Sequence, residues 1–283
     1  MAPPPVGEDR LLTLPDGRTV VCWEGGDPTG SPILFHSGTP SGRLQATLGH
    51  EAAVRAGVRL LAFNRPGYGS STPTDSTHTT VSRDAAELLD LWGIERVAVL
   101  GMSVGGPYAA AFAAAYPHRT TALAVVSAPA MPREAPEGTI EDAMARMAPE
   151  FLAWRGRIDP DDEDDEALAA RFLAELPEAD AALLAPYGAD LVGGLVWEAL
   201  VETDGYLRDA ALLMRPWDFD VADVRCPATV WVGEDDAKAL AAAPWWTNRL
   251  PQAALEVAPG TTHLATLLTQ WPAILRRLGT ATG

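Results

Sequence analysis

Val97–Pro117 reads VAVLGMSVGGPYAAAFAAAYP. It opens as a continuous apolar run, the pattern of a buried strand, and closes as an alanine-rich helix. Between the two, Gly101-Met102-Ser103-Val104-Gly105 fits G-x-S-x-G. A sharp strand-to-helix turn forces its central residue into a strained backbone conformation. Bulky neighbours would clash there, so Gly101 and Gly105 leave room. The hydroxyl of Ser103 then projects at the carboxyl end of the strand, above a helix N-terminus whose dipole favours developing negative charge. A glycine-rich turn with an incidental serine is the plainer reading, but the strand before and the helix after argue for a placed nucleophile.

Outward from this stretch, apolar runs alternate with helical ones. LLTLPDGRTVVCWEG (11–25) reads as two strands around a Pro-Asp-Gly turn, and SPILFHSG (31–38) as a short buried strand. GRLQATLGHEAAVRAG (42–57) reads as a helix stopped by Gly57. VRLLAFNRPGYGSS (58–71) is a strand running into a Pro/Gly loop, and TVSRDAAELLDLWG (80–93) an amphipathic helix with Leu88, Leu89 and Trp92 on one side. TALAVVSAPA (121–130) is another buried strand. This alternation is the signature of an α/β fold, and the continuously apolar strands predict a parallel sheet covered on both faces.

From Met131 to Arg215 the strand-like runs vanish. This segment carries 20 acidic and 7 basic residues, a net −13 of the chain's −17. It reads as a mainly helical insertion. Within it, IDPDDEDDEA (158–167) resembles a calcium loop only superficially. The sixth and twelfth positions counted from Asp159 hold Asp164 and Ala170 where an EF-hand needs glycine and glutamate, so a solvated acidic loop or helix start is the better reading. The α/β alternation resumes at CPATVWVGEDD (226–236) and ends in a helix after His263.

The acidic balance argues against a nucleic-acid partner or an anionic membrane surface, and against a highly charged anionic substrate. The two cysteines, Cys22 and Cys226, are far apart and read as buried thiols, giving neither a disulfide framework nor a zinc site. MAPPPVGEDR (1–10) has neither a basic start nor an apolar core, and no run reaches a membrane span, so a soluble, cytoplasmic protein is expected. The oligomeric state stays open.

A serine hydroxyl needs a base, and the base an orienting acid. Of five histidines only His118 and His263 follow Ser103 in the order Ser, acid, His. His118 sits at the far end of the helix that Ser103 begins, so His263, after APGTT, is the candidate base. Glu234, Asp235 and Asp236 follow the preceding strand, and Asp236, three residues beyond Gly233, is the candidate acid, with Asp235 second. Val104 should supply one oxyanion N–H. FHSGTPSGR (35–43) should supply the other from Thr39 or Gly38, with His36 bracing this loop by hydrogen bonding. Met131, Phe151, Trp154, Tyr187 and Trp197, with Gly38, are candidates to line a substrate pocket; Met144, Met147, Leu195 and Tyr206 are further ones.

Five motifs stand in order between Leu34 and His263: HSGTP, NRPGYGSS, GMSVGG, GEDD and GTTH. Together they resemble the α/β-hydrolase superfamily in its capped, single-domain branch. HSGTP departs from the family's H-G-x-P by one residue, and aligning the proline favours Thr39 as the donor. Asn64 stands where the family usually has aspartate before Arg-Pro-Gly, a change expected to affect loop bracing. The resemblance implies an eight-stranded, mostly parallel α/β sheet with a helical cap after the sixth strand. Residues 1–130 and 216–283 would form the core and 131–215 the cap. It also implies Ser-His-Asp chemistry with no metal and no cofactor, on a small-molecule substrate. Hydrolysis of a small carboxylic ester or lactone through an acyl-enzyme is the leading expectation. C–C bond or amide hydrolysis, or a lyase on the same triad, is the alternative. A non-catalytic ligand-binding protein is the reading from another class.

Overall fold

The computed structural model describes residues 7–162 and 164–281. Met1–Val6, part of the stretch read for a leader, and Glu163 of the acidic run lie outside them. Eight strands form one sheet: β1 (Glu8–Thr13), β2 (Thr19–Gly26), β3 (Ser31–His36), β4 (Val58–Phe63), β5 (Val97–Met102), β6 (Thr120–Val126), β7 (Ala228–Gly233) and β8 (Ala253–Ala258). Their order is β1-β2-β4-β3-β5-β6-β7-β8. β2 runs antiparallel to β1 and β4, and every other pairing is parallel.

The central strands β5, β6 and β7 are buried throughout because both faces of the sheet are covered there. Every residue of β5 is buried. Val97 and Val99 join one cluster, with α2 (His78–Leu91), α3 (Gly105–Ala115) and α9 (Ala237–Arg249). Ala98, Leu100 and Met102 join the other, with α1 (His50–Ala56) and α10 (His263–Thr280). The period-two alternation of a strand thus divides the core into two layers. The helix expected over 42–57 is two pieces: a 3₁₀ segment at Arg43–Gly49 and then α1, which Gly57 ends in the left-handed region at φ 63°. Cys22 and Cys226 are buried free thiols, pushed up to about 12 and about 11 by desolvation.

The insertion between β6 and β7 is helical: α4 (Ile140–Ile158), α5 (Asp165–Glu175), α6 (Glu178–Leu184), α7 (Ala189–Leu200) and α8 (Asp204–Leu213). It has its own apolar cluster, built on Phe151, Leu168, Phe172, Leu195 and Val196. Asp164 starts α5 by accepting hydrogen bonds from the N–H groups of Glu166 and Ala167, which gives the acidic run its role as a helix start. No helix among the described residues is long and apolar enough to cross a membrane.

Candidate active site

Parallel registry brings five strand ends to one rim of the sheet. His36 pairs with Gly101, Met102 with Val126, Val126 with Trp231, and Gly233 with Ala258. The loops that follow carry Thr39, Ser103, Asp236 and His263.

Ser103 adopts φ 51°, the left-handed region that a non-glycine residue enters at a cost. Two hydrogen bonds hold it there: its N–H donates to Val126 O at 2.8 Å, and its carbonyl accepts from Gly106 N–H at 2.9 Å. A Cβ at Gly105 would overlap the His36 carbonyl, and one at Gly101 would overlap Gly105. The flanking glycines are therefore required by close backbone approach, as the sequence argument held.

His263 is the first residue of α10, and its Nδ1 lies 2.6 Å from Asp236 Oδ2. Asp236 is buried and also accepts from Ala239 N–H at 3.1 Å through Oδ1, capping α9. Burial pushes the Asp236 carboxyl up, but hydrogen bonds from His263 and Ala239 outweigh it and hold the group below its usual value. Asp235 is exposed, and Glu234 accepts from Gly260 N–H at 3.0 Å. The acid loop is stitched to the histidine loop again by Asp235 N–H donating to Thr261 O at 3.1 Å. Gly233 is needed at this crossing, where a Cβ would meet the Thr261 carbonyl. His118 is exposed and distant in the fold, at the end of α3.

Ser103 and His263 line one cavity of about 210 Å³ between the sheet rim and the helical insertion. No hydrogen bond joins Ser103 Oγ to His263 among the described residues. Gly38, Thr39 and Gln45 line the same cavity. The N–H of Gly38 is already donated to Gln45 Oε1 at 2.7 Å. The N–H of Val104, at the start of α3, has no intrahelical acceptor.

Three expectations need correction. His36 does not brace its loop by hydrogen bonding: both ring nitrogens are buried without a partner among the described residues. It packs against Phe63 and Tyr108, and desolvation, with the charge of Arg65, pushes it down to about 3. The bracing falls to Gln45 and to Arg65, whose Nη1 donates to Ser37 O at 2.9 Å. The second correction concerns the pocket. Phe151 and Trp154 pack at a tilt against Tyr206 inside the insertion, and Met131 packs against the main core. Tyr187 and Trp197 line separate surface grooves. None of these five reaches the cavity, whose roof is Phe172, Leu176, Pro177, Asp180, Leu184 and Leu195. The aromatic face of α4 turns toward α8, while α5, α6 and α7 lie over Ser103. Third, of the further candidates only Leu195 lines the cavity; Met144 and Met147 pack within the insertion.

The sequence reading also missed three buried carboxylates of the insertion. Asp209 on α8 accepts from Arg65, Tyr68 and Tyr108 at 2.6 Å each. Glu198 on α7 accepts from Asn64 Nδ2 at 2.8 Å and pairs with Arg43. Asp180 on α6 accepts from Thr262 Oγ1 at 2.5 Å and from Ala265 N–H at 3.0 Å. The Asn64 departure now has its reason: an aspartate there would oppose Glu198. No group of metal-ligating side chains is present among the described residues.

Comparison with known proteins agrees with this frame. The 2-hydroxy-6-oxononadienedioate/2-hydroxy-6-oxononatrienedioate hydrolase of Cupriavidus pinatubonensis (strain JMP 134 / LMG 1197) is 34% identical over 128 residues, 42% of this chain and 44% of that protein. The chain thus spans less than half the length of this curated relative, and other matched relatives carry the same enzyme name. A putative carbamate hydrolase of Caulobacter sp. (strain K31) is 26% identical over 75% of this chain and 76% of its own length. Among solved structures, a thermophilic esterase from Thermogutta terrifontis superposes with a TM-score of 0.73 at 23% identity, covering 98% of this chain and 100% of that one. A family model described as the alpha/beta hydrolase fold matches residues 32–268, from β3 through the histidine loop into α10. With that match over most of its length, the chain belongs to the alpha/beta hydrolase fold family.

Proposed function

We propose that the protein is a hydrolase that cleaves a bond to a carbonyl carbon with Ser103 as nucleophile, His263 as general base and Asp236 as orienting acid. The observation that carries this reading is the 2.6 Å His263–Asp236 contact, opening into the cavity that Ser103 also lines. Asp236 holds Nδ1 protonated, so Nε2 is free to take the Ser103 proton. The hydroxyl oxygen attacks the carbonyl, and the oxyanion forms against the N–H groups of Val104 and Thr39. His263 then protonates the leaving group, and water attacks the acyl-enzyme in turn. The missing Ser103–His263 hydrogen bond is one that tightens when substrate seats, as catalytic contacts do.

The names of the matched relatives favour a C–C bond beside a carbonyl as the one broken, ahead of an ester or lactone. Ester or lactone hydrolysis is the second reading, supported by the cavity, which is smaller than the roughly 300 Å³ at which drug-sized ligand pockets begin and suits a small acyl group. A panel of a 1,3-diketone, a nitrophenyl ester and a lactone separates them by kcat/KM. Diketone cleavage as the fastest reaction supports the first reading, and ester or lactone cleavage as the fastest supports the second. Equal turnover by Ser103→Ala, or none by folded wild-type protein on any of the three, contradicts the proposal.

A further inference from the structure

We propose that Asp180 sets the charge selectivity of this cavity, so that the part of the substrate lying under the helical insertion carries no negative charge. The proposal rests on the reading of Ser103 as nucleophile. Asp180 is 3% exposed and lines the cavity together with Ser103 and His263. It belongs to α6 of the insertion, but its Oδ1 is fastened to the core on both sides of His263, by the Thr262 hydroxyl and the Ala265 N–H.

This arrangement keeps the carboxylate in place. Thr262 is the residue before α10, yet its side chain does not cap the helix. Its hydroxyl donates to Asp180 instead, and Asp180 accepts the orphan N–H of the helix's first turn. The positive end of the α10 dipole favours a negative charge at that point. The Asp180 carboxyl is therefore held in place rather than being a mobile surface side chain.

No lysine or arginine of the described lining compensates a second anion under the insertion. Asp180 and His263 are the only titratable residues among its described lining, which includes no lysine or arginine. The buried Arg65 guanidinium is engaged by Asp209 and Ser37. Much of the remaining roof is Phe172, Leu176, Leu184 and Leu195, which offer no screening. A carboxylate brought under such a roof loses its hydration and meets a like charge. The matched relatives are named for a dioate, so the proposal assigns this chain a substrate of a different charge class at this end.

The test uses two fluorophosphonates of equal chain length, one ending in a methyl ether and one in a carboxylate. The readout is the second-order rate of Ser103 modification by intact mass. Wild-type protein should react with the neutral probe at least about tenfold faster, on the order of 1.4 kcal/mol. Asp180→Asn, which keeps the Oδ1 acceptor and removes the charge, should shrink that ratio to about threefold or less, while Asp180→Glu should keep a preference for the neutral probe. Equal wild-type rates, or a preference undiminished in Asp180→Asn, overturn the proposal and leave the hydrolase reading intact. Modification by neither probe overturns the serine reading on which it stands. Equal wild-type rates overturn the proposal even if a variant does not fold.

Discussion

His36 is the most informative single residue for the pH behaviour of this protein. Desolvation, with the charge of Arg65, pushes it down to about 3 from an ordinary 6.5, so the folded state keeps it neutral. The unfolded chain binds a proton there below pH 6.5 and the native state does not until about pH 3. By linkage, stability from this residue is lost as pH falls through that window, at up to about 1.4 kcal/mol per pH unit. His36→Leu should flatten the fall of denaturation free energy between pH 6 and pH 4 by up to that slope, and an unchanged slope contradicts the assignment. The sequence could point to Ser103, His263 and Asp236, with Asp235 as second choice of acid, because each follows a strand and their order along the chain fits the motif, and the structure sets His263 against Asp236. The sequence could not disclose that His36 is unpaired, because that depends on Phe63 and Tyr108, which lie on other elements.

At the scale of elements, the insertion is clamped to the core by carboxylates on its helices. Glu198 of α7 meets Asn64, whose Oδ1 accepts from Arg43 N–H at 2.6 Å while its amide nitrogen donates to Glu198 Oε1 at 2.8 Å. An amide is the side chain that can do both. Asn64→Asp should destabilise the protein by about 1–3 kcal/mol in urea denaturation at neutral pH, through loss of the donor and like-charge opposition. Glu198→Gln should recover part of that loss in the double variant, a positive coupling that additive effects of the two single substitutions would contradict. The core elements were legible in their apolar runs and their glycine stops. The helical character of 131–215 was legible in its composition. Which face of each helix turns to Ser103 was not: leucines and aromatics are spread over several helices, and only packing decides that α4 turns its aromatic face to α8 while α5, α6 and α7 roof the cavity.

For the whole molecule, the parallel sheet does the converging. β3, β5, β7 and β8 end on one rim, and residues more than a hundred positions apart meet there because registry aligns the strand ends. The order of the motifs along the chain carried this in advance, which is why the architecture was readable before the contacts were. The charge of the insertion was also countable, but not the fact that Asp180, Glu198 and Asp209 are buried against the core and not solvated. The account as a whole depends on Ser103 being activated by the His263–Asp236 pair. Peptide mapping after reaction with a neutral fluorophosphonate tests this most directly. One adduct on Ser103, absent in Ser103→Ala and formed at least about 10³-fold more slowly in His263→Ala, is the predicted result. An adduct on another residue, or labelling of Ser103 at an undiminished rate in His263→Ala, contradicts it.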